Sequence, residues 1–474
     1  MARMTEESAN RDEPSPATSV AQDRPFYFIV TLWGARFRDY FLEYCLPSLL
    51  SPGNIPALAG RRPVKVLIAT LPDDWQAMKA TSIFKLLERH AEPVFLEIPP
   101  CPDGLTGCQH MGVGHKLMSE MAHRDRALGV LITPDLMISD GTVQRLDWYA
   151  RKNVEIVLVG ALRFGEEPFL GNLRASGAIP VESRRDSGRP LAISSRDMVA
   201  AAVNGFHSET LSYEWDAHCV PVVFPACWWR VPGEEGVLIH SMSWAPLLLD
   251  YGAIDDHDMS AIKTWTIDGD YVHANFGLSH PFHVVQDSDE MFIGSWAPLS
   301  DRPHDLSPSP LFRHPALGKT VKRAMLRACY YSDVFDPLKR RIFFLPVRWH
   351  SQPLNEKWGG IERAAMADLL DFIEPPQGYA GMMADAGRAR PQLAAWPFVR
   401  IGLKCIAALR RAYLVLDQVL SNRATVFRRL GEVLRGDRYA LRRVFWRVRA
   451  MGAQLLGRVW RESGPPPPDS LKPR

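Results

Sequence analysis

From Phe26 onward the chain switches repeatedly between two hydrophobic periods. FYFIVTLWG (26–34) is an almost unbroken apolar, β-branched and aromatic run, and the RDYFLEYCLPSLL that follows carries apolar residues three and four apart. The first pattern predicts a buried strand, the second a helix with one apolar face. The pair recurs: VKVLIATL (64–71) precedes an amphipathic stretch through FKLLERH, and VFLEI (94–98) precedes GHKLMSEMAHR. GVLIT (129–133) then leads to VQRLDWYARK, and VEIVLVGAL (154–162) closes the series. Ser139 or Asp140 is expected to cap the helix after the fourth strand. Strands this continuously apolar are covered on both faces, and strand–helix alternation builds a parallel sheet. The expected fold class is therefore α/β: a Rossmann-type, mostly parallel sheet with helices on both faces.

Beyond about residue 180 the text turns irregular and rich in Trp, Asp and His, until Pro and Ser near residue 305 suggest a boundary. RRIFFLPVRWH (340–350) predicts a late strand and GIERAAMADLLDFI an amphipathic helix. The expected organisation is a polar, disordered leader over 1–24, a main domain over 25–305, an extension packed on it over 306–390, a basic helical region over 391–462 and a frayed end over 463–474.

Composition, with 46% hydrophobic and 23% charged residues, is ordinary for a globular chain and names no function. The leader lacks the apolar core of a signal peptide or membrane anchor, and no later run approaches about 18 uninterrupted apolar residues. The seven cysteines are scattered and never form C-x-x-C, which fits a reducing cytoplasm and neither a disulfide framework nor a zinc knot. Charge changes the picture more. Between Arg400 and Arg461 stand fifteen Lys and Arg against three Asp and Glu, so the formal net charge of +3 belongs to the tail. Basic residues interleaved with Leu, Val, Phe and Trp over 397–461 fit a helical bundle with a solvated basic face, or an anionic membrane surface, with nucleic acid ranking behind both.

The chemistry starts at GVLITPDLMISDG (129–141). Ligands of parallel α/β sheets lie outside the carboxyl ends of the strands, and Asp135 stands at that edge. A fourth strand running into a carboxylate, followed by an irregular second half, resembles the GT-A fold of nucleotide-sugar glycosyltransferases over residues 26 to about 295. In that family the fourth strand commonly ends in Asp-x-Asp, one acid of which holds a divalent cation bridging the donor's diphosphate. The resemblance implies a nucleoside-diphosphate sugar as donor, Mn or Mg as cofactor with Asp135 as its ligand, and a glycan or lipid-linked acceptor in cell-envelope polysaccharide synthesis. It also implies a cytoplasmic enzyme, peripheral on the inner face of the membrane. A His followed by Trp-Pro resembles the C-terminal histidine segment of retaining members, which makes His240 in VLIHSMSWAPLLL the second metal ligand and predicts that it approaches Asp135. Pro134-Asp135-Leu136 carries one acid where the family carries two, which keeps a non-catalytic carbohydrate or membrane-surface binding protein as an alternative.

Other residues take their expected roles from position. Trp33 offers a face for the base, Asp73 or Asp74 an acceptor for base or ribose, and His115 with Lys116 in MGVGHKLM a cationic touch on sugar or diphosphate. Asp268 and Asp270 in TIDGDYV are the candidates for a general base toward an acceptor hydroxyl, Trp265 and Tyr271 flanking them. DSDE (287–290) reads as surface or loop. A sugar nucleotidyltransferase is the second enzyme reading, weakened because TLWGARFRD has a single Gly where a phosphate loop needs several. G-x-x-x-x-G-K-[ST], G-x-S-x-G, H-E-x-x-H and a G-x-G-x-x-G after the first strand are absent.

Overall fold

A computed structural model of the chain describes residues 24–180, 187–221, 223–262, 266–277, 279–331 and 337–373. The chain divides into two compact units, Met1–Ala407 and Ala408–Arg474. The leader, Trp265 and the basic region lie outside the described residues.

The apolar runs are strands for the reason expected of them. β1 (Phe26–Thr31), β2 (Val64–Thr70), β3 (Glu92–Glu97) and β4 (Leu128–Leu131) pair in parallel. β5 (Leu136–Ile138) and β7 (Arg163–Gly165) belong to a small sheet, while β6 (Ile156–Gly160) joins the main one. β8 (Ala226–Arg230), β9 (Gly236–Ser241), β10 (Trp244–Asp250), β11 (Phe282–Val284), β12 (Ile293–Ala297) and β13 (Val347–His350) complete the set. The main sheet has the order β11-β6-β10-β4-β1-β2-β3, parallel except for β10. This is the mostly parallel α/β class with helices on both faces that the strand–helix alternation predicts.

The two-residue period of β1 sorts the core. Phe26, Phe28 and Val30 pack with Trp75, Phe84, Val143 and Leu146 of α2 (Pro72–Lys79), α3 (Ser82–Leu87) and α5 (Thr142–Arg151). Tyr27 and Ile29 face the other way, under Met118 and Ala122 of α4 (Gly107–Arg124). Each fully buried Leu or Phe in these layers stabilises the fold by about 1.5–3 kcal/mol. α4 comes close to the sheet because Gly114 lacks a side chain: a Cβ there would stand 2.3 Å from Thr31 Oγ1 and 2.7 Å from Ala69 Cβ.

Several local expectations change. The helix after β5 starts at Thr142 behind Gly141, whose φ of 86° suits glycine, while Asp140 accepts the N–H of Gly53 at 2.7 Å. VLIHSMSWAPLLL is two strands in two sheets. β9 belongs to the antiparallel sheet β13-β9-β8, and after Met242 and Ser243 β10 crosses into the main sheet. The late strand is β13, and the second amphipathic helix is Glu356–Leu370.

Candidate functional site

The carboxyl edge of the main sheet gathers polar groups that the protein does not satisfy. Asp135 follows β4 in a turn, half-buried, its backbone carbonyl taken by the N–H of Trp296 at 3.2 Å. Among the described residues its carboxylate makes no side-chain hydrogen bond or ion pair. Thr31 ends β1 with Oγ1 buried and unpartnered against α4. His110, in the second turn of α4, is fully buried with neither ring nitrogen in a hydrogen bond, although the nearby Pro99 carbonyl pulls its pKa up against the burial that lowers it. Its ring meets Trp33 edge to face at 4.6 Å. Unsatisfied buried polar atoms cost roughly 1–3 kcal/mol each; the Thr31 hydroxyl and the His110 ring are closed to solvent, which leaves half-buried Asp135 as the accessible unpartnered group at this edge.

His115 lies one residue past Gly114 and is buried. The N–H of Ile267 donates to its Nδ1 at 3.1 Å, which leaves the ring proton on Nε2. Burial lowers its pKa to about 4, so near neutral pH it is an uncharged donor. Lys116 is exposed beside it. Asp73 is exposed in the first turn of α2, but Asp74 is committed elsewhere. It accepts from Gly34 N at 2.7 Å and pairs with Arg38 at 2.9 Å, clamping the β1 and β2 loops together. Asp74 is thus a positioning group, buried and with each oxygen already accepting one hydrogen bond, whereas Asp73 is exposed.

Asp268 and Asp270 come near this edge through the Ile267–His115 bond. They are not a loose turn. Asp268 N-caps α8 (Gly269–Phe276), its Oδ1 accepting from Asp270 N at 3.0 Å, while Asp270 is exposed in the first turn. No hydrogen bond or ion pair joins Asp135 to His240 among the described residues. His240 sits in β9 of the other sheet, fully buried, with Nδ1–H donated to Phe343 O at 3.1 Å and its ring set against Trp229 and Phe343. Its Nε2 has no partner, and burial lowers its pKa to about 4. A cation shared by Asp135 and His240 therefore does not fit this fold.

A different trio has the spacing of a metal site: ligand-type atoms of Asp287, Asp289 and His350 all lie within 4.8 Å of one another. Sequence reading set DSDE aside as loop because His350 is sixty-odd residues away and a strand ladder is needed to join them. Thr31 and His110 were missed too. A strand-end Thr and a helical His four residues before a Gly carry no signal until the helix is laid on the sheet.

No family profile and no curated protein matches the chain. Solved structures similar to parts of it include mouse xyloside xylosyltransferase 1 in its apo form, at 11% identity and TM-score 0.21, covering 34% of this chain and 63% of that one. Another is a Bacillus anthracis protein assigned as a glucose-1-phosphate thymidylyltransferase, in complex with sucrose, at 12% identity and TM-score 0.20, covering 30% and 57%. The chain thus spans about three fifths of the length of the structures it matches.

Proposed function

We propose that the chain is a glycosyltransferase that moves a sugar from a nucleoside-diphosphate donor to a glycan or lipid-linked acceptor, in cell-envelope polysaccharide synthesis. The observation that carries this reading is the unpartnered Asp135 carboxylate at the carboxyl end of β4. In this reading Trp33 and His110 receive the base, Asp73 the ribose, and Lys116 with the Nε2–H of His115 the diphosphate. A leaving nucleoside diphosphate gains negative charge, and fixed donors at that spot lower the barrier more than they stabilise the ground state. Asp270, whose carboxylate has solvent around it, is better suited than the capping Asp268 to take the acceptor's proton. Mn or Mg is the cofactor this fold family implies. Asp135 is the one expected ligand at this edge and would hold that cation.

The nucleotidyltransferase reading loses further support at the β1 loop. Gly34 N already donates to Asp74, while Arg38 and Arg36 are paired with Asp74 and Asp301, so this turn has little left for phosphate. The acceptor reading extends to the tail. The fifteen Lys and Arg between Arg400 and Arg461 suit a peripheral site on an anionic inner membrane face. Among the described residues no helix is long and apolar enough to cross a membrane.

The test is a thermal-shift series with UDP, GDP, CDP and ADP, with and without Mn, followed by release of nucleotide from the matching sugar donors. A ligand of the native state must raise its apparent stability. Binding with turnover supports the enzyme; binding without turnover turns the protein into a carbohydrate-nucleotide binder; no response to any nucleotide removes the reading. Full-length protein should sediment with anionic liposomes at low salt, and a truncation after residue 390 should not.

A further inference from the structure

We propose that Asp287, Asp289 and His350 form a divalent-cation site apart from the donor edge, which fastens the segment after β11 to β13. The ligand atoms lie within 4.8 Å of one another and come from two segments that are already laced together. Arg348 N donates to Gln286 O at 2.7 Å and Ser288 N to Arg348 O at 3.0 Å. Ser288, nearly fully buried, accepts from His350 N at 3.0 Å and donates to His350 O at 3.3 Å. With the central Ser of Asp-Ser-Asp turned inward, both flanking carboxylates project on the outer side, where the imidazole is.

His350 is held as a ligating imidazole is usually held. Its Nδ1–H donates to Gln352 O at 2.7 Å, which fixes the ring, and its Nε2–H donates to Asp287 Oδ1 at 2.9 Å, the proton a bound cation would displace. The ring is nearly buried while Asp289 is exposed, so water can supply the remaining positions. One imidazole and two carboxylates suit zinc, and manganese less tightly. In the metal-free chain Arg196 occupies the carboxylate side, its Nε and Nη2 bonded to Asp289 at 2.8 and 2.7 Å. Arg196 begins the second turn-forming residue of the helix Ser195–Val203, and both partners are about two-fifths exposed, so this pair yields to a cation at little cost. Asp287 and Asp289 lie in the turn after β11 and His350 on β13, and none of the three shares a hydrogen bond or ion pair with Asp135 among the described residues.

The experiment uses the full chain, stripped with EDTA and titrated with ZnCl2 and MnCl2 by calorimetry and by melting. One equivalent of zinc should bind and raise Tm. Asp289→Asn and His350→Gln should each weaken binding at least tenfold, while Arg196→Ala, which removes the competing guanidinium, should tighten it severalfold. Should His350→Gln fail to fold, the exposed Asp289→Asn decides alone. No one-to-one binding in either the wild type or Arg196→Ala, or binding that survives Asp289→Asn, overturns the site. Nucleoside-diphosphate shifts should be the same in Asp289→Asn as in the wild type; their loss would make this the donor's cation and overturn its separateness.

Discussion

The two sheets treat their polar groups in opposite ways. At the carboxyl edge of the seven-stranded sheet Asp135, Thr31 and His110 are left without partners. Around β13-β9-β8 polar groups are closed upon each other. Arg348 pairs with Glu362, and His350 with Asp287. Lys322, buried in the helix Pro315–Tyr330, donates from Nζ to the carbonyls of Glu214, Trp215 and Ala217 at 2.6, 3.0 and 2.8 Å. The second region has orphans as well, His240 Nε2 behind Trp229 and Phe343 and the Nε atoms of Arg323 and Arg327, and they are buried as Thr31 and His110 are, so what separates the regions is the half-exposed, unpartnered carboxylate of Asp135. Since an unsatisfied group is a cost, the fold tolerates several together only where something else satisfies them or where function requires it. On the proposed function, the difference puts ligand binding in the first region and cohesion in the second.

The largest effect expected from breaking this contrast is at Asp135. Asp135→Asn keeps the shape and removes the charge, and no hydrogen bond is lost with it. Turnover should fall by roughly a hundredfold or more, while the melting temperature moves by no more than about 2 °C. Unchanged turnover would move the chemistry away from this edge. The mirror experiment in the closed region is Lys322→Met, which strands three carbonyls. Urea unfolding should show a loss of about 2–4 kcal/mol, with nucleotide affinity of the folded fraction unaltered. A stable Lys322→Met protein would mean that the second region's pairs are decoration.

How far these regions were legible in the sequence follows from the reach of each signal. Strands buried on both faces announce themselves locally, so β1, β2, β4 and β6 and the helices between them could be read, and with them the position of Asp135. His240 could not. The turn between β9 and β10 has no Gly or Pro to mark it; it is made by Ser241, whose Oγ accepts from Ser243 N at 2.8 Å and donates to Ser243 O at 3.0 Å, so the change of sheet after His240 carried no local signal. Asp268-Gly269-Asp270 looked like a turn because an N-cap and a turn use the same residue types. Asp74 looked like Asp73 until Gly34 N and Arg38 were found on it. His240 and Asp74 have partners distant in sequence, Phe343 for one and Gly34 and Arg38 for the other, and partners of that kind decide whether a polar residue is open or closed.

The smallest expected effect is also the sharpest comparison, because it sets two buried histidines with the same depressed pKa against each other. His115→Asn keeps an oxygen where Nδ1 accepts from Ile267 N, and His240→Asn keeps an amide donor where Nδ1–H meets Phe343 O, so both should fold. Burial lowers each ring's pKa from 6.5 to about 4. The unfolded chain therefore binds protons that the native chain refuses. Their stabilisation is complete above pH 6.5, falls as pH drops below it, and is lost by about pH 4. Each contributes up to roughly 3 kcal/mol to that acid loss, and either substitution should flatten the decline measured by urea titration between pH 7 and pH 4.5. Nucleotide binding separates them. His115→Asn removes the Nε2–H at the donor edge and should weaken nucleoside-diphosphate binding about tenfold, the worth of one hydrogen bond to a charged group, whereas His240→Asn should leave it alone. Equal losses in both would mean that the two sheets share one site, and the division between an open and a closed region would fail.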